Sequence, residues 1–322
     1  MTDATPANIA ELPDDIVNAL AVSPRFARDS VCFAARNSGL YRSDDAGQSW
    51  QFAYRSLLLD APLTTTAVVV SPEFDTDHTV FAGAHGGVLR SLDGGATWQI
   101  TMLPSPPPLV TSLAISPNFA NDGVVFAGTL EDGVFRSDNR GSSWAAWNFG
   151  LLDLNVLSMA ISPTFERDEM LFAGTGSGLF RSTNGGRAWR EVDLPVEFTA
   201  MLSLAIASVD DNASMVFAGT EDHGLLASDN GGRAWRRLGE DVLQDAVNSI
   251  VPAPRFSASP DMLVLLSDML VLSRDAGESW AVCLLDDGDA PGIAAVAAPL
   301  GLGPGAPLLV GLIDGGVLRQ SL

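Results

Sequence analysis

The sequence predicts an all-β fold, a seven-bladed β-propeller built from four-stranded blades. The first observation is a tryptophan that recurs at intervals of 48, 46, 45, 46 and 45 residues, at Trp50, Trp98, Trp144, Trp189, Trp235 and Trp280. The second is a serine-initiated octapeptide that ends at each of these tryptophans. The third is a set of short apolar runs before each octapeptide, with no helical periodicity. Four short strands repeated at this period are typical of propeller blades.

The third unit shows how each blade is expected to form. A first apolar run ends at Ser116, and the phenylalanine that follows it at Phe119 recurs in the first four units. A second run spans Val125–Gly128, and a third, Gly133–Ser137, follows a short turn. The octapeptide then turns the chain, and its tryptophan begins the fourth strand. Strands this short, with glycine and proline between them, suit a meandering antiparallel sheet.

The number of units sets the number of blades. Units begin near residues 17, 66, 110, 156, 201, 247 and 293, and the seventh ends at Ser321 without an octapeptide or a fourth strand. Residues 1–13 have no place in the first unit. We therefore predict that they supply the missing outer strand, because closure of the ring removes exposed sheet edges. Residues 1–322 are thus predicted to form a single domain.

The six octapeptides, called box turns below, are predicted to join the third and fourth strands. An Asp or Asn in each can accept hydrogen bonds from loop amides, the glycine permits a left-handed backbone, and the tryptophan covers the turn. Asn replaces Asp in three of the copies, which suits a structural turn better than a ligand site. The residues expected to determine the fold are Ser43, Asp45, Gly47, Trp50, Asp93, Trp98, Asn139, Trp144, Asn184, Trp189, Asn230, Trp235, Asp275 and Trp280.

The box turns resemble the Asp box, also called the bacterial neuraminidase repeat, and six copies in register carry that resemblance. The family includes sialidases and other glycosidases, so the resemblance implies a carbohydrate-active propeller as one alternative. A sialidase would need a tyrosine nucleophile. Tyr41 is expected in the core of a third strand and Tyr54 on an outermost strand, away from the axis. The Arg-Ile-Pro motif of sialidases is missing as well, so a sialidase is excluded and a glycoside hydrolase or glycan-binding module stays as the alternative.

The chain is also similar in architecture to photosystem II assembly factors, propellers that bind protein, and to uncharacterised neuraminidase-repeat proteins of bacteria. That resemblance implies a non-catalytic scaffold for protein binding or assembly, which is the function we predict. The sequence has no nucleophile elbow, no phosphate-cradling glycine loop and no metal-ligand spacing, so we expect no enzyme activity, cofactor or metal.

The net charge and the N-terminal sequence limit the classes of partner and the location that we expect for the protein. The chain has 39 acidic and 18 basic residues, a net charge of −21, which argues against nucleic acid and favours a basic protein partner. The N-terminus lacks the features of a signal peptide, and residues 292–313, although uncharged, contain three prolines. We therefore expect no membrane insertion, a cytoplasmic location and a monomer.

The face opposite the box turns is the predicted partner-binding surface. Turns between second and third strands should lie there together with the loops between blades. Two of those loops stand out: Ser56–Leu63 is rich in leucine, and Leu103–Leu109 is rich in proline. The candidate partner-binding residues are Arg36, His85, Glu131, Asp132, Glu221, Asp222, His223, Asp268, Asp286, Asp287 and Asp314.

Overall fold

The computed structural model describes residues 15–104, 106–210, 213–267, 269–283 and 292–322. Its strands form seven antiparallel sheets, six with four strands and one, within these residues, with three. The innermost strands of successive sheets contact one another in order, and the first also contacts the seventh, so the sheets close into a ring. The predicted seven-bladed β-propeller is confirmed. The predicted closing strand at residues 1–13 lies outside the described residues.

The strands of the first four blades follow the sequence order from the centre outward. Blade 1 contains β1 (Val17–Val22), β2 (Cys32–Arg36), β3 (Gly39–Ser43) and β4 (Gln51–Phe52). Blade 2 contains β5 (Thr65–Val70), β6 (Val80–Ala84), β7 (Gly87–Ser91) and β8 (Gln99–Met102). Blade 3 contains β9 (Val110–Ile115), β10 (Val125–Thr129), β11 (Gly133–Ser137) and β12 (Ala145–Ala146). Blade 4 contains β13 (Val156–Ile161), β14 (Leu171–Thr175), β15 (Leu179–Ser182) and β16 (Arg190–Glu191).

The last three blades follow the same order. Blade 5 contains β17 (Met201–Ser208), β18 (Ser214–Thr220), β19 (Leu225–Ser228) and β20 (Arg236–Leu238). Blade 6 contains β21 (Ser249–Pro252), β22 (Met262–Leu265), β23 (Leu270–Ser273) and β24 (Ala281–Cys283). Blade 7 contains β25 (Ile293–Ala297), β26 (Pro307–Leu312) and β27 (Val317–Ser321).

Short helices interrupt the otherwise all-β chain, and the absence of helical periodicity did not predict them. Four one-turn helices follow the first strands of blades 1 to 4: α1 (Phe26–Asp29), α2 (Phe74–Asp77), α3 (Phe119–Asp122) and α4 (Phe165–Asp168). In the first, Ser23 donates to the Asp29 carboxylate at 2.5 Å, and the same carboxylate accepts from the amide of Val31 at 3.0 Å. One turn is too short to leave a periodic pattern, so these helices depend on the serine–aspartate clamp.

A 3-10 helix, η1 (Ala53–Leu57), follows β4, and it corrects the expectation for Tyr54. Tyr54 lies in this helix and not on an outer strand, and its side chain is fully buried. Its hydroxyl is 3.0 Å from the hydroxyl of Thr65 in the next blade, and its ring packs edge-on against Trp98. Burial raises the pKa of Tyr54 far above its usual range, with Thr65 opposing the shift.

The core lies between neighbouring blades and is organised by buried phenylalanines. Four second-strand side chains each meet a phenylalanine from the first connection of the following blade, edge-on at 5.7–6.3 Å between ring centres: Phe33 with Phe74, Phe81 with Phe119, Phe126 with Phe165, and Phe217 with Phe256. Edge-to-face pairs of this kind add to the stabilisation from burial. The same contact between blades therefore repeats around most of the ring.

Candidate functional site

Hydrogen bonds between turns define the two faces of the ring. On one face, here the box face, the box turns bond to the connections that follow the first strands, as Gly94 N does to the carbonyl of His78 at 2.9 Å. On the other, here the loop face, turns between second and third strands bond to the loops between blades. Gly133 N donates there to the carbonyl of Leu154 at 2.9 Å. The predicted partner-binding turns therefore share the loop face with the inter-blade loops.

The box turn of blade 2 shows why these residues form a turn. Ser91 donates to Asp93 Oδ1 at 2.7 Å and accepts from the amide of Gly95 at 2.7 Å. The Asp93 carboxylate also accepts from the amide of Thr97 at 2.8 Å and from its hydroxyl at 2.6 Å. Trp98 Nε1 donates to the carbonyl of Gly95 at 3.0 Å. The polar groups of the turn thus bond within the turn.

The turn forms with an aspartate or with an asparagine at its third position. Although partial burial would raise it, the hydrogen bonds from Thr97 lower the pKa of Asp93 below its usual value. In blade 3, Asn139 Oδ1 accepts from the amide of Ser143 at 2.9 Å, and its Nδ2 donates to the Ser143 hydroxyl at 2.8 Å. The asparagine therefore donates to the hydroxyl from which an aspartate would accept, and the turn is retained.

Arginines that precede the box turns link neighbouring blades. Arg90 Nη1 donates to the carbonyl of Arg140 at 2.6 Å and to the Ser142 hydroxyl at 2.9 Å, both in the box turn of blade 3. Arg136 Nη1 donates in the same way to the carbonyl of Gly185 at 3.2 Å. These side chains hold a box turn to the preceding blade.

On the loop face, Arg36 is held by its own blade. Its guanidinium lies over the ring of Tyr41 at 4.3 Å and near Trp50 at 5.8 Å. Asp15 Oδ2 is 3.9 Å away, and the side chain of Arg36 is only 13% exposed. Burial lowers its pKa, with Asp15 opposing the shift. An arginine in this position stabilises the turn and has little surface left for a partner.

The two candidate histidines are not brought together. His85 is exposed and forms a β-bridge with Leu109. His223 is half-buried in blade 5, with Nε2 at 3.7 Å from Asp222 Oδ1, and Asp222 also accepts a hydrogen bond from the hydroxyl of Thr199. Among the described residues, no group of three or more His, Cys, Asp or Glu side chains is arranged to hold a metal ion.

The acidic candidates form a discontinuous rim on the loop face. Glu131 is exposed with a left-handed backbone at φ 73°, and the carbonyl of Asp132 accepts from Asn148 Nδ2 at 2.8 Å. Glu221 is also exposed. The Asp314 carboxylate accepts from the amide of Gly316 at 2.8 Å. Asp268, Asp286 and Asp287 lie outside the described residues.

Exposed apolar side chains accompany these acids, and most of them were not predicted. The inter-blade loops after blades 1, 3, 4 and 5 present Leu58 (87% exposed), Phe149 (80%), Leu152 (78%), Phe198 (77%) and Val242, and Met102 (65%) ends the outer strand of blade 2. Of these loops, only Ser56–Leu63 had been singled out for its apolar residues. Large apolar side chains exposed in this number are candidates for an interaction site.

A shallow groove accompanies Phe198 between blades 4 and 5. Its volume is about 180 Å³, and its wall combines apolar residues with acids: Ser177, Gly178, Glu191, Val192, Asp193, Leu194, Val196, Glu197, Phe198, Thr199 and Met201. The sequence signal for Phe198 is a large apolar residue in the connection between the repeats of blades 4 and 5. The groove is small for a drug-sized ligand and suits one or two side chains.

No helix among the described residues is long and apolar enough to cross a membrane. No family model matches the sequence, and no curated protein sequence matches it either. The structure, in contrast, is similar to many solved propellers. These likenesses define the class, a seven-bladed β-propeller, and at their low identities they show the fold alone.

Three of these structures illustrate the range. The xyloglucanase from Xanthomonas campestris of family GH74 has a TM-score of 0.70 and 18% identity over 95% of this chain and 52% of its own. The extracellular domain of a putative one component system from B. thetaiotaomicron has a TM-score of 0.68 and 15% identity, over 95% and 38%. YCF48 bound to D1 peptide has a TM-score of 0.68 and 15% identity, over 96% and 94%. The chain thus spans about half of the xyloglucanase, less of the extracellular domain and nearly all of YCF48.

Proposed function

We propose that this propeller is a non-catalytic scaffold that binds another protein through its loop face. The carrying observation is the set of exposed apolar side chains in inter-blade loops, led by Leu58, Leu152 and Phe198. Burial of such side chains is the main source of affinity in protein interfaces, and aromatic residues are prominent among interface hot spots. The likeness to YCF48, a similar fold solved with a bound peptide, supports the proposal.

The charge of the same face specifies the partner. The rim carries Glu131, Glu221 and Asp314, and the chain as a whole has a net charge of −21. Arg36, the basic candidate on this face, is occupied by Tyr41. We therefore propose a polypeptide segment with apolar anchors and basic flanking residues, because opposite charge accelerates association and excludes acidic partners.

A random peptide display library tests this proposal. The loop-face variant combines Leu152→Ser and Phe198→Ser. A matched control combines Leu92→Ser and Leu300→Ser, which remove side chains 53% and 51% exposed on the box face. We expect peptides selected on the wild type to carry apolar and basic residues. Their affinity, measured by fluorescence anisotropy, should fall at least tenfold in the loop-face variant, since one lost anchor is worth about 1–2 kcal/mol.

Two results would contradict the proposal. One is equal peptide binding by both variants, which would place binding elsewhere. The other is a selected set without basic residues whose affinity does not fall with rising salt, because an acidic rim that attracts its partner must be screened by ions.

A carbohydrate-active propeller is the second proposal, supported by the likeness to the GH74 enzymes. Neither tyrosine favours it, since Tyr54 is fully buried and Tyr41 lies beneath Arg36. Soluble xyloglucan and related oligosaccharides, mixed with the protein and followed by calorimetry and by release of reducing ends, separate the two proposals. Binding or turnover of a glycan would replace the scaffold proposal.

Three finer assignments complete the proposal. The six box turns, in each of which the serine donates to an aspartate or asparagine side chain, support membership of the bacterial Asp-box repeat proteins. The closed ring supports a single-domain reading of residues 1–322 and a monomer as the binding unit. The predicted cytoplasmic location stays a prediction, and extracellular domains are among the proteins of similar fold.

A further inference from the structure

The junction of blades 4 and 5 departs from the repeat on the box face. In blades 1 to 3 the third-strand arginine donates to a neighbouring group, as Arg42 does to Asp44, Arg90 to Arg140 and Arg136 to Gly185. The equivalent Arg181 makes no hydrogen bond or ion pair within the described part of the chain. Its Nε is buried without a partner, as are those of Arg42 and Arg136, so blade 4 differs in its terminal guanidinium nitrogens, which bond to no neighbouring group and are open to a ligand.

Cross-strand register places a second arginine against it. Arg181 on β15 pairs directly with Arg190 on β16. The corresponding pairs in blades 1, 2 and 3 are arginine with glutamine, glutamine and alanine, at Gln51, Gln99 and Ala145. Like charges directly opposite each other destabilise a sheet. Blade 4 thus carries a repulsion that blades 1 to 3 avoid.

A third arginine comes from the next blade. Arg233, in the box turn of blade 5, lines the same cleft as Arg181 and Arg190. Burial lowers the pKa of Arg181, and repulsion from Arg233 lowers it further, while Asp168 opposes the shift. Within the residues that the structure describes, Arg190 and Arg233 have no ion pair through their side chains. Three basic groups converge in a chain whose net charge is −21.

The cleft between blades 4 and 5 exists because two large side chains present at other junctions are missing or smaller here. Blade 5 lacks the phenylalanine that meets the second-strand ring at four other junctions, and the ring that Phe172 meets across this junction is Trp235 of the following box turn, edge-on at 6.3 Å. Trp147, over which Arg136 stacks at 4.2 Å, corresponds to Val192 in blade 4. The resulting cleft has a volume of about 390 Å³, and a second of about 300 Å³ adjoins it.

We propose that this cleft between blades 4 and 5 binds a phosphoryl-type oxyanion through Arg181, Arg190 and Arg233. Guanidinium groups bind phosphate and carboxylate through paired, charge-assisted hydrogen bonds. Three of them offer more donors than the two oxygens of a carboxylate can accept, and a tetrahedral dianion meets them better. Thr183 and Asn184 add polar groups to the wall, and Asn184 is one of the box positions where the aspartate charge is missing.

Acidic residues that line the two clefts limit the distance over which the arginines attract an anion. Glu191 and Asp193 line the first cleft, and Asp168, Asp210 and Asp229 line the second. The Asp168 carboxylate already accepts hydrogen bonds from Ser162 at 2.6 Å and Thr164 at 2.9 Å. The acids outnumber the arginines, so the surroundings do not attract an anion at a distance, and binding depends on direct contact with the guanidinium groups.

Calorimetry with inorganic phosphate at constant ionic strength tests the site. We expect saturable binding by the wild type and at least a tenfold loss in Arg190→Gln and in Arg181→Gln, since hydrogen bonds to charged groups are the strong ones. Arg236→Gln is the matched control: it removes an exposed arginine of blade 5 that pairs with Glu278 at 3.3 Å outside the cleft, and should change affinity less than twofold.

Thermal stability separates a binding site from a structural one. Without phosphate, Arg190→Gln should melt at a higher temperature than the wild type, because the like-charge pair is gone. With phosphate, only the wild type and the control should gain stability. A lower melting temperature for Arg190→Gln, or phosphate binding unchanged by it, would overturn the proposal. Acetate binding as tight as phosphate binding would overturn the choice of a phosphoryl group.

Discussion

Gly141 offers the sharpest test of how the blades are joined. It occupies the box turn of blade 3 with φ 75°, and its amide donates to Ser137 Oγ at 2.9 Å. A β-carbon there would collide with the ring of Phe81, which is fully buried in blade 2. The substitution Gly141→Ala therefore perturbs the backbone conformation and the contact between blades at the same time.

Two costs add up in this variant. A left-handed backbone costs an alanine about 1–2 kcal/mol. Overpacking against a buried ring costs about 1–3 kcal/mol more, because interiors have no slack for an extra carbon. We expect Gly141→Ala to lower the free energy of unfolding by about 2–5 kcal/mol. Urea denaturation followed by tryptophan fluorescence measures this loss, with the slope of the transition unchanged.

Gly303 supplies the matched control. It is exposed, its backbone is not left-handed, and a β-carbon there would meet nothing within 4 Å. Gly303→Ala should be neutral or stabilising by up to about 1 kcal/mol, through the unfolded state. The reasoning is refuted if the two variants have the same stability, or if Phe81→Leu relieves none of the cost of Gly141→Ala in a double-mutant cycle.

Three further outcomes are expected. Hydrogen bonds, first that from the Ser49 hydroxyl, lower the pKa of Asp45 to about 2, so its contribution to stability is present above the unfolded value near 4 and lost as pH falls through 2. Asp45→Asn should therefore remove the pH dependence of the urea midpoint between these pH values and lower the midpoint modestly at neutral pH, where the wild type keeps its charged hydrogen bonds. Tyr54→Phe removes the 3.0 Å contact with Thr65 and should cost about 1 kcal/mol by the same denaturation assay, whereas a loss near zero would mean that the hydroxyl is dispensable. Arg90→Gln removes two hydrogen bonds to the box turn of blade 3 and should lower the free energy of unfolding by about 1–3 kcal/mol. Hydrogen exchange should become faster in that turn, whereas a side chain with no contact to the turn would leave the exchange rate unchanged.

The sequence predicted the features that repeat with the tryptophans. The period of 45 to 48 residues dictates the blades, and each box turn carries its own hydrogen-bonding groups, so local sequence suffices for both. The one-turn helices escaped because one turn shows no period. Their signal was the serine followed six residues later by aspartate, as in Ser23 and Asp29, whose side chains close the turn.

The candidate site was harder to predict for two physical reasons. An apolar residue in a loop, such as Phe149 or Phe198, reads equally as a core anchor or an exposed contact, and only the fold shows that both are about four-fifths exposed. Convergence of Arg181 with Arg190 depends on strand register, which the short β16 does not reveal by pattern. Hydrophobic periodicity reports which side of a strand is buried, not which charges meet across it.

The repeat itself provides the comparison that gives these departures their weight. In blades 1 to 3 the same arginine position donates through its terminal nitrogens to a carboxylate or a carbonyl, so the chain's own copies show how the fold uses that position. Blade 4 keeps the arginine, adds Arg190 opposite it, and forms none of these hydrogen bonds within the described residues. Stability alone would favour a glutamine there, as in blades 1 and 2. A feature that costs stability and leaves donors unused is best explained by a ligand that accepts them.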